Sequence, residues 1–148
     1  TFGKVELAAA LFEGGENELD VWLMSDSNYL PGNVIEAFHF TDMMGTVGQS
    51  NPLIVGTSTL KPLLTMGTRY WLVATVSDKD SHAIWNMSSP AAYGYVANKI
   101  NDYPWGGGPY TKQSAFRISS TAVPEPATML LLGLGLVGLT GIRRKMHK

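Results

Sequence analysis

Residues 69–76 form the run Arg69-Tyr70-Trp71-Leu72-Val73-Ala74-Thr75-Val76. Aromatic and β-branched side chains of this kind favour extended strands. Apolar residues occur at both odd and even positions of the run, so both faces of a strand here would be apolar. Because such strands are typical of the middle of a sheet, the sequence predicts a central β-strand at residues 69–76.

Runs before and after this stretch are also typical of strands. Apolar residues recur at every second position in residues 4–11 and 19–24, which indicates strands with one buried face. Residues 34–41 and 113–119 are predicted strands whose aromatic or aliphatic side chains share a face. The predicted inward-facing residues are Val5, Leu7, Ala9, Leu11, Leu19, Val21, Leu23, Phe38, Phe40, Phe116 and Ile118.

Turn-forming residues separate these runs. Residues 25–33 end in Pro31-Gly32, and residues 98–112 are rich in glycine, proline and aromatics, so both are predicted loops. About eight short strands result, with no convincing amphipathic helix. The sequence therefore predicts an all-β domain at residues 1–119, an antiparallel β-sandwich of jelly-roll type.

Composition excludes several classes of function. The chain has no cysteine, so thiol catalysis, cysteine metal sites and disulfides are excluded. Residues 1–122 carry seven lysines and arginines against eleven aspartates and glutamates, a net charge of −4. Nucleic acid is therefore not an expected partner.

Ionisable residues give no pattern of a catalytic or metal site. The three histidines, including His39, lack the spacing of metal ligands. Asp78 and Asp80 flank a turn, and two carboxylates fall short of the six to eight oxygens that calcium prefers. We expect no catalytic residue, no metal, no cofactor and no enzymatic activity; a hydrolase would need an acid–base pair that the sequence does not display.

An aromatic loop is predicted at residues 102–110, where Tyr103, Trp105 and Tyr110 stand among glycines and prolines. Exposed aromatic rings stack on sugar rings, which makes these three residues candidates for glycan contact. The alternative is that Trp105 and Tyr110 fold back and cap one end of the core, since aromatic side chains usually bury their large area.

The C-terminal residues form three successive parts. Pro124, Glu125 and Pro126 form an extended motif, since proline fixes φ and lacks an N–H. Residues 127–142 carry no charge, and as a helix they would rise about 24 Å, a short but possible membrane span. Residues 143–148 begin with the basic cluster Arg143, Arg144 and Lys145. The positive-inside rule predicts that this cluster stays in the cytoplasm and that residues 1–122 lie across the membrane.

This order of parts resembles the PEP-CTERM sorting signal, with residues 120–123 as a linker before it. The resemblance implies a Gram-negative exported protein whose partners are the inner membrane and an exosortase. That enzyme would recognise Pro124, Glu125 and Pro126 and remove the tail, leaving a protein at the cell surface or outside the cell. The alternative is a tail-anchored membrane protein that is never cleaved. An exported chain also needs an N-terminal signal, so we expect Thr1 not to be the natural start.

Four segments of the β-domain resemble the choice-of-anchor R domain, and the resemblance covers most of residues 4–119. The segments are residues 30–36, 64–73, 84–86 and 114–118. The resemblance implies a β-sandwich without known enzymatic activity. Together with the tail it predicts a non-enzymatic surface or matrix protein associated with biofilm or exopolysaccharide. The alternative is a carbohydrate-binding module that contacts glycan through the aromatic loop.

Overall fold

The computed structural model describes residues 1–100 and 103–121, and every regular element within them is a β-strand. The all-β prediction is therefore confirmed, with eleven strands where about eight were predicted. The strands are β1 (Phe2–Leu7), β2 (Ala9–Glu13), β3 (Glu18–Ser27), β4 (Leu30–Thr41), β5 (Gly45–Thr46), β6 (Ile54–Thr57), β7 (Tyr70–Val76), β8 (His82–Trp85), β9 (Tyr93–Asn98), β10 (Gly106–Lys112) and β11 (Phe116–Ser120).

The strands pair in four small sheets, ordered β11-β1-β6, β5-β2-β8, β4-β3-β7 and β10-β9. Only the short β2–β5 pair is parallel among the described strands. Strands β1 and β2 are separated by Ala8 alone. The Ala8 N–H donates to the carbonyl of Ala115 at 3.2 Å, and the Ala8 carbonyl accepts from the N–H of Asn86 at 2.9 Å. Ala8 therefore lies between the residue that precedes β11 and the residue that follows β8. At this point the neighbouring strand of the extended chain changes from β11, which pairs with β1, to β8, which pairs with β2.

One hydrophobic core is shared by three of these sheets. Its buried residues come mainly from β1, β2, β3 and β6, and they include Val5, Leu7, Val21, Leu23 and Ile54. The side chains predicted to face inward along residues 4–11 and 19–24 are thus confirmed as core or as packing against it. Phe38 and Phe40 of β4 also pack against this core, half-buried.

Strand β7 lies at the edge of its sheet, so the prediction of a central strand is wrong. Its second apolar face has a different cause. Trp71 and Val73 are buried with Met24 in a second cluster, against which Ala97 of β9 and Trp105 pack. The β9–β10 hairpin covers this outer face, so a covering layer rather than a second sheet neighbour explains why β7 is apolar on both sides.

The predicted loop at residues 25–33 is a tight hairpin instead. Ser27 pairs with Leu30, so only Asn28 and Tyr29 connect β3 to β4. Both connecting residues have positive φ, 53° and 66°, as a two-residue turn of type I′ requires. Pro31 lies inside β4 rather than at a turn, because the edge position of β4 leaves the missing N–H of proline without consequence.

Phe116 and Ile118 lie on the predicted face but are not buried. They pair with Leu7 and Val5, respectively, and cross-strand partners share a face. Each nevertheless keeps 41% of its surface exposed. Strand β11 is at the edge of its sheet, so one side of each residue meets solvent.

A buried carboxylate organises the turn after β6. Glu36 is almost fully buried, and its oxygens accept the Ser58 hydroxyl at 2.7 Å, the Thr59 N–H at 2.8 Å and the Leu60 N–H at 3.2 Å. The Ser58 hydroxyl in turn accepts the Lys61 N–H at 2.8 Å. This network fixes the backbone where the chain leaves the sheet, because burial makes each of these partners costly to lose.

Candidate functional site

A groove runs between β7 and the β9–β10 hairpin. Its main part is a cleft of about 330 Å³, and a second part of about 270 Å³ shares several of its wall residues. The aromatic residues that line the cleft are Trp71, Trp85, Tyr95, Trp105 and Phe116. Polar side chains also line it, among them Asn98 and Gln113. Apolar walls with a few hydrogen-bonding groups are what small-ligand sites have in common.

Four tyrosines form an exposed row beside this groove. The row is defined by Tyr29 at the β3–β4 turn, Tyr93 and Tyr95 on β9, and Tyr110 on β10. Ring centroids lie 5.6 Å apart for Tyr29 and Tyr95, 5.7 Å for Tyr95 and Tyr110, and 6.5 Å for Tyr93 and Tyr110. Such spacings are typical of interacting aromatic pairs. The row thus joins the turn to both strands of the hairpin.

The guanidinium of Arg69 holds the first part of the tyrosine row together. Its Cζ lies 4.1 Å from the ring centroid of Tyr29 and 4.7 Å from that of Tyr95. Both distances are within the range of cation–π attraction. One guanidinium between two rings connects the β3–β4 turn to the β9–β10 hairpin, which do not pair as strands.

The carboxylate of Asp26 contacts both Arg69 and the β3–β4 turn. Its Oδ1 accepts the indole N–H of Trp71 at 2.7 Å and lies 3.7 Å from Nη1 of Arg69, while Oδ2 accepts the Tyr29 N–H at 3.2 Å. The hydrogen bond from Trp71 is the largest cause that holds the pKa of Asp26 below its usual value. The carboxylate therefore stays ionised and positions Trp71 in the groove wall.

The three aromatic residues predicted for glycan contact have separate environments. Tyr103 is exposed, Trp105 packs half-buried against the second cluster and lines the cleft, and Tyr110 is an exposed member of the tyrosine row. Trp105 thus folds back as the alternative predicts, and Tyr110 does not. The predicted loop at residues 102–110 is wrong from Gly106 onward, where β10 begins.

Sequence reasoning missed Tyr29, Tyr93, Tyr95 and Arg69. One signal was available: Tyr93 and Tyr95 alternate with Gly94, so on a strand both rings face one side. The three glycines at residues 106–108 are typical of a loop, so the sequence did not indicate β10. This strand pairs with β9 and brings Tyr110 opposite Tyr95. Tyr29 could not be placed without the turn geometry.

His39 forms a polar cluster on the opposite part of the β3–β4 pair. Its Nδ1 lies 2.8 Å from Oδ1 of Asp20, and its Nε2 lies 3.4 Å from the Thr41 hydroxyl and 3.8 Å from Oε1 of Glu18. The hydrogen bond to Asp20 is the largest cause of the raised pKa of His39. The cluster is solvent-exposed and lines no described cleft, so this geometry indicates a surface ion pair.

Asp78 and Asp80 lie in a hydrogen-bonded turn. One oxygen of Asp78 accepts the Asp80 N–H at 3.1 Å, and the other lies 3.3 Å from the Ser81 hydroxyl, which itself donates to the Glu16 carbonyl. The hydrogen bond from the Asp80 N–H is the main cause that lowers the pKa of Asp78. Within residues 1–100 and 103–121 no three acidic or histidine side chains converge as a metal site.

The described chain ends beside its own beginning. The hydroxyls of Thr1 and Thr121 lie 2.8 Å apart, and β11 pairs with β1 up to Ser120. The sorting residues Pro124, Glu125 and Pro126, the uncharged run at 127–142 and the basic residues Arg143, Arg144 and Lys145 lie outside the described residues. No helix able to cross a membrane is found in the part of the chain that is described.

Comparison with known families identifies the tail. Residues 122–145 match the PEP-CTERM protein-sorting motif. The chain therefore carries the C-terminal signal of an exported protein sorted by an exosortase. No curated protein and no solved structure matches this chain.

Proposed function

We propose that this chain is a non-enzymatic surface or extracellular-matrix protein that an exosortase cleaves, associated with biofilm or exopolysaccharide. The match at residues 122–145 carries the proposal. Before cleavage, the run at 127–142 holds the protein in the inner membrane as a helix, and Arg143, Arg144 and Lys145 keep its end in the cytoplasm. Cleavage at or near Pro124, Glu125 and Pro126 then releases the β-domain to the surface.

The proposed scaffold is a jelly-roll-like sandwich related to the choice-of-anchor R domain. Residues of β1, β2 and β6 share one core with residues of β3, and side chains of β4 and β7 pack against that core. This sharing supports two layers packed face to face.

The mass of the mature C-terminus tests the sorting proposal. The protein would be expressed in a host with and without its exosortase, next to a Glu125→Ala variant. We expect loss of the tail only for the unaltered motif and only when the enzyme is present. An intact C-terminus ending at Lys148 in both hosts would instead indicate a permanently tail-anchored protein.

A second candidate function is carbohydrate binding in the groove. The aromatic walls that include Trp105, and the neighbouring amides of Asn98 and Gln113, favour it because sugars offer both apolar ring faces and hydroxyls. Tyr110 and the tyrosine row extend the aromatic surface beyond the cleft. Tyr103 is the most exposed of the three predicted contacts, with 71% of its surface in solvent.

Binding to purified host exopolysaccharide tests this second function. A Tyr110→Ser variant should lose most of the retention on the polysaccharide, since its exposed ring can be removed without opening the core. Phe12→Ser is the matched control, because Phe12 is equally an exposed aromatic on a strand but lies on β2. Equal retention of both variants and the wild type would exclude Tyr110 from glycan contact.

A further inference from the structure

An apolar loop connects β6 to β7 and exposes three large side chains. Leu60, Leu63 and Met66 keep 66%, 78% and 99% of their surfaces in solvent, and Leu64 between them packs against the main core. We define the apolar loop as residues 60–66. Single exposed apolar residues are ordinary, whereas three within seven residues of one loop form an apolar patch, and such patches mark interaction sites.

The apolar loop is held in place by hydrogen bonds from three sides. The buried carboxylate of Glu36 accepts the Leu60 N–H, and the Pro62 carbonyl accepts the Phe2 N–H at 2.9 Å. Further on, the Thr65 N–H donates to the Tyr70 hydroxyl at 3.0 Å. The loop backbone is thus fixed with Leu60 and Leu63 turned outward and Leu64 packed inward, so the exposure of Leu60 and Leu63 is a property of the folded state.

The apolar loop lies at the point where the chain leaves the β-domain. Pro62, between the two exposed leucines, is bonded to Phe2, and Phe2 pairs with Ser120 at the end of β11. The Thr1 and Thr121 hydroxyls meet at this same place. Leu60 and Leu63 therefore flank the exit toward the sorting signal.

Five residues separate Thr121 from the uncharged run that starts at Ala127. Fully extended, this connection spans at most about 20 Å, whereas a domain of this length is about 35 Å across. When the run is inserted in a bilayer, the end of the domain that carries the exit is therefore held nearest the lipid. The opposite end of the domain cannot reach the bilayer on so short a connection.

We propose that the apolar loop is a membrane-contact site: while the tail is uncleaved, Leu60, Leu63 and Met66 dip into the interfacial region of the bilayer. The only positive charge within the loop, Lys61, suits lipid phosphates at the same depth. The inference rests on the proposed membrane-anchored stage. The apolar loop would orient the domain on the membrane, so that residues 122–126 lie at a constant distance from the bilayer for cleavage by the exosortase.

Fluorescent labels at single cysteines test the site in the full chain. The chain has no native cysteine, so Leu63→Cys provides a unique position for an environment-sensitive dye. Phe12→Cys is the matched control, because Phe12 is also exposed. Ten residues of extended chain separate it from Phe2 at the exit, a path of roughly 30 Å along β1 and β2. Both labelled proteins would be reconstituted in phosphatidylethanolamine–phosphatidylglycerol vesicles.

We expect the label at position 63 to shift to shorter wavelength and to be quenched by brominated lipid, while the label at position 12 remains in water. Flotation of the vesicles distinguishes failure of the membrane-anchored stage from failure of the loop inference. Protein that fails to float with the vesicles would overturn the membrane-anchored stage and the loop inference with it. Floating protein whose two labels behave alike would overturn the loop inference alone. Shielding of position 63 only after exosortase is added would also overturn it, in favour of a protein partner.

Discussion

The protonation of His39 is coupled to folding mainly through the carboxylate of Asp20. Asp20 bonds to its Nδ1 on the neighbouring strand, and Asp20 is itself bonded by the Ser77 hydroxyl at 3.1 Å. A histidine whose pKa is raised by folding stabilises the fold fully below its unfolded pKa, about 6.5. That contribution is lost as the pH rises through the folded pKa.

We therefore expect His39 to titrate above its ordinary value in the folded protein, and Asp20→Asn to return the pKa toward that value. NMR titration of the ring protons measures both. Thr41→Val is the control, because it removes a hydroxyl near Nε2 and leaves the bond to Asp20 intact. An unchanged His39 pKa in Asp20→Asn would contradict the assigned cause.

Glu36 gives the second prediction for a single residue. Its removal in Glu36→Ala leaves the Ser58 hydroxyl and the N–H groups of Thr59 and Leu60 without their acceptor. We expect a loss of about 3 kcal/mol in the free energy of unfolding. Urea unfolding measures it.

Glu36→Gln, which keeps one acceptor oxygen, should lose less than Glu36→Ala. The surface substitution Glu13→Ala should stay within about 0.5 kcal/mol of wild type. A Glu36→Ala protein as stable as Glu13→Ala would show that the buried network contributes nothing.

Among the elements, the β3–β4 hairpin combines an unusual backbone with a surface ring. Tyr29 has a φ of 66°, which glycine adopts far more readily than tyrosine. Its ring meets Arg69 and Tyr95. The chain thus keeps a strained residue at the position that connects the turn to the tyrosine row, and such strain often marks a functional site.

We expect Tyr29→Gly to be more stable than Tyr29→Ala by about 1 kcal/mol, because both lack the ring and only alanine keeps the backbone strain. Thermal unfolding of the pair isolates this difference. The same comparison at Ala37, an exposed residue within β4, should have the opposite sign, since glycine weakens a strand. Equal stability of the two Tyr29 variants would mean that the turn relaxes.

Local pattern predicted the strands better than the connections and neighbours. The alternation of apolar and polar residues around Val5 and Val21 depends only on which side of a strand faces the core. The buried side of these strands could therefore be predicted from the sequence. The edge position of β7 was not, because a covering hairpin and a second sheet neighbour leave the same apolar pattern in the sequence. Likewise, nothing local distinguishes Asn28-Tyr29 from Pro31-Gly32 as the true turn.

For the whole molecule, the β9–β10 hairpin is attached through its own small cluster rather than through the main core. Trp105 and Ala97 pack on Trp71 and Val73, and Arg69 adds its contact to Tyr95. A part held by so few apolar contacts should open separately from the rest. The groove would then open and close with the hairpin.

We expect Trp105→Ala to weaken the attachment by about 2 kcal/mol, which is roughly a thirtyfold rise in local opening. Hydrogen exchange should become faster in β9 and β10 and stay unchanged in β1 and β3. Tyr103→Ala, at a largely exposed ring nearby, should leave exchange as in wild type. Uniformly faster exchange across all strands would show that the hairpin and the core unfold as one unit.

The meeting of Thr1 and Thr121 also determines how the domain responds to mechanical force. Ser120 pairs with Phe2, and β11 runs antiparallel to β1 from that point. Tension applied between the two ends would therefore peel β11 from β1 one hydrogen bond at a time, as a zipper opens. The domain would yield at low force in this direction, however stable it is to heat or urea.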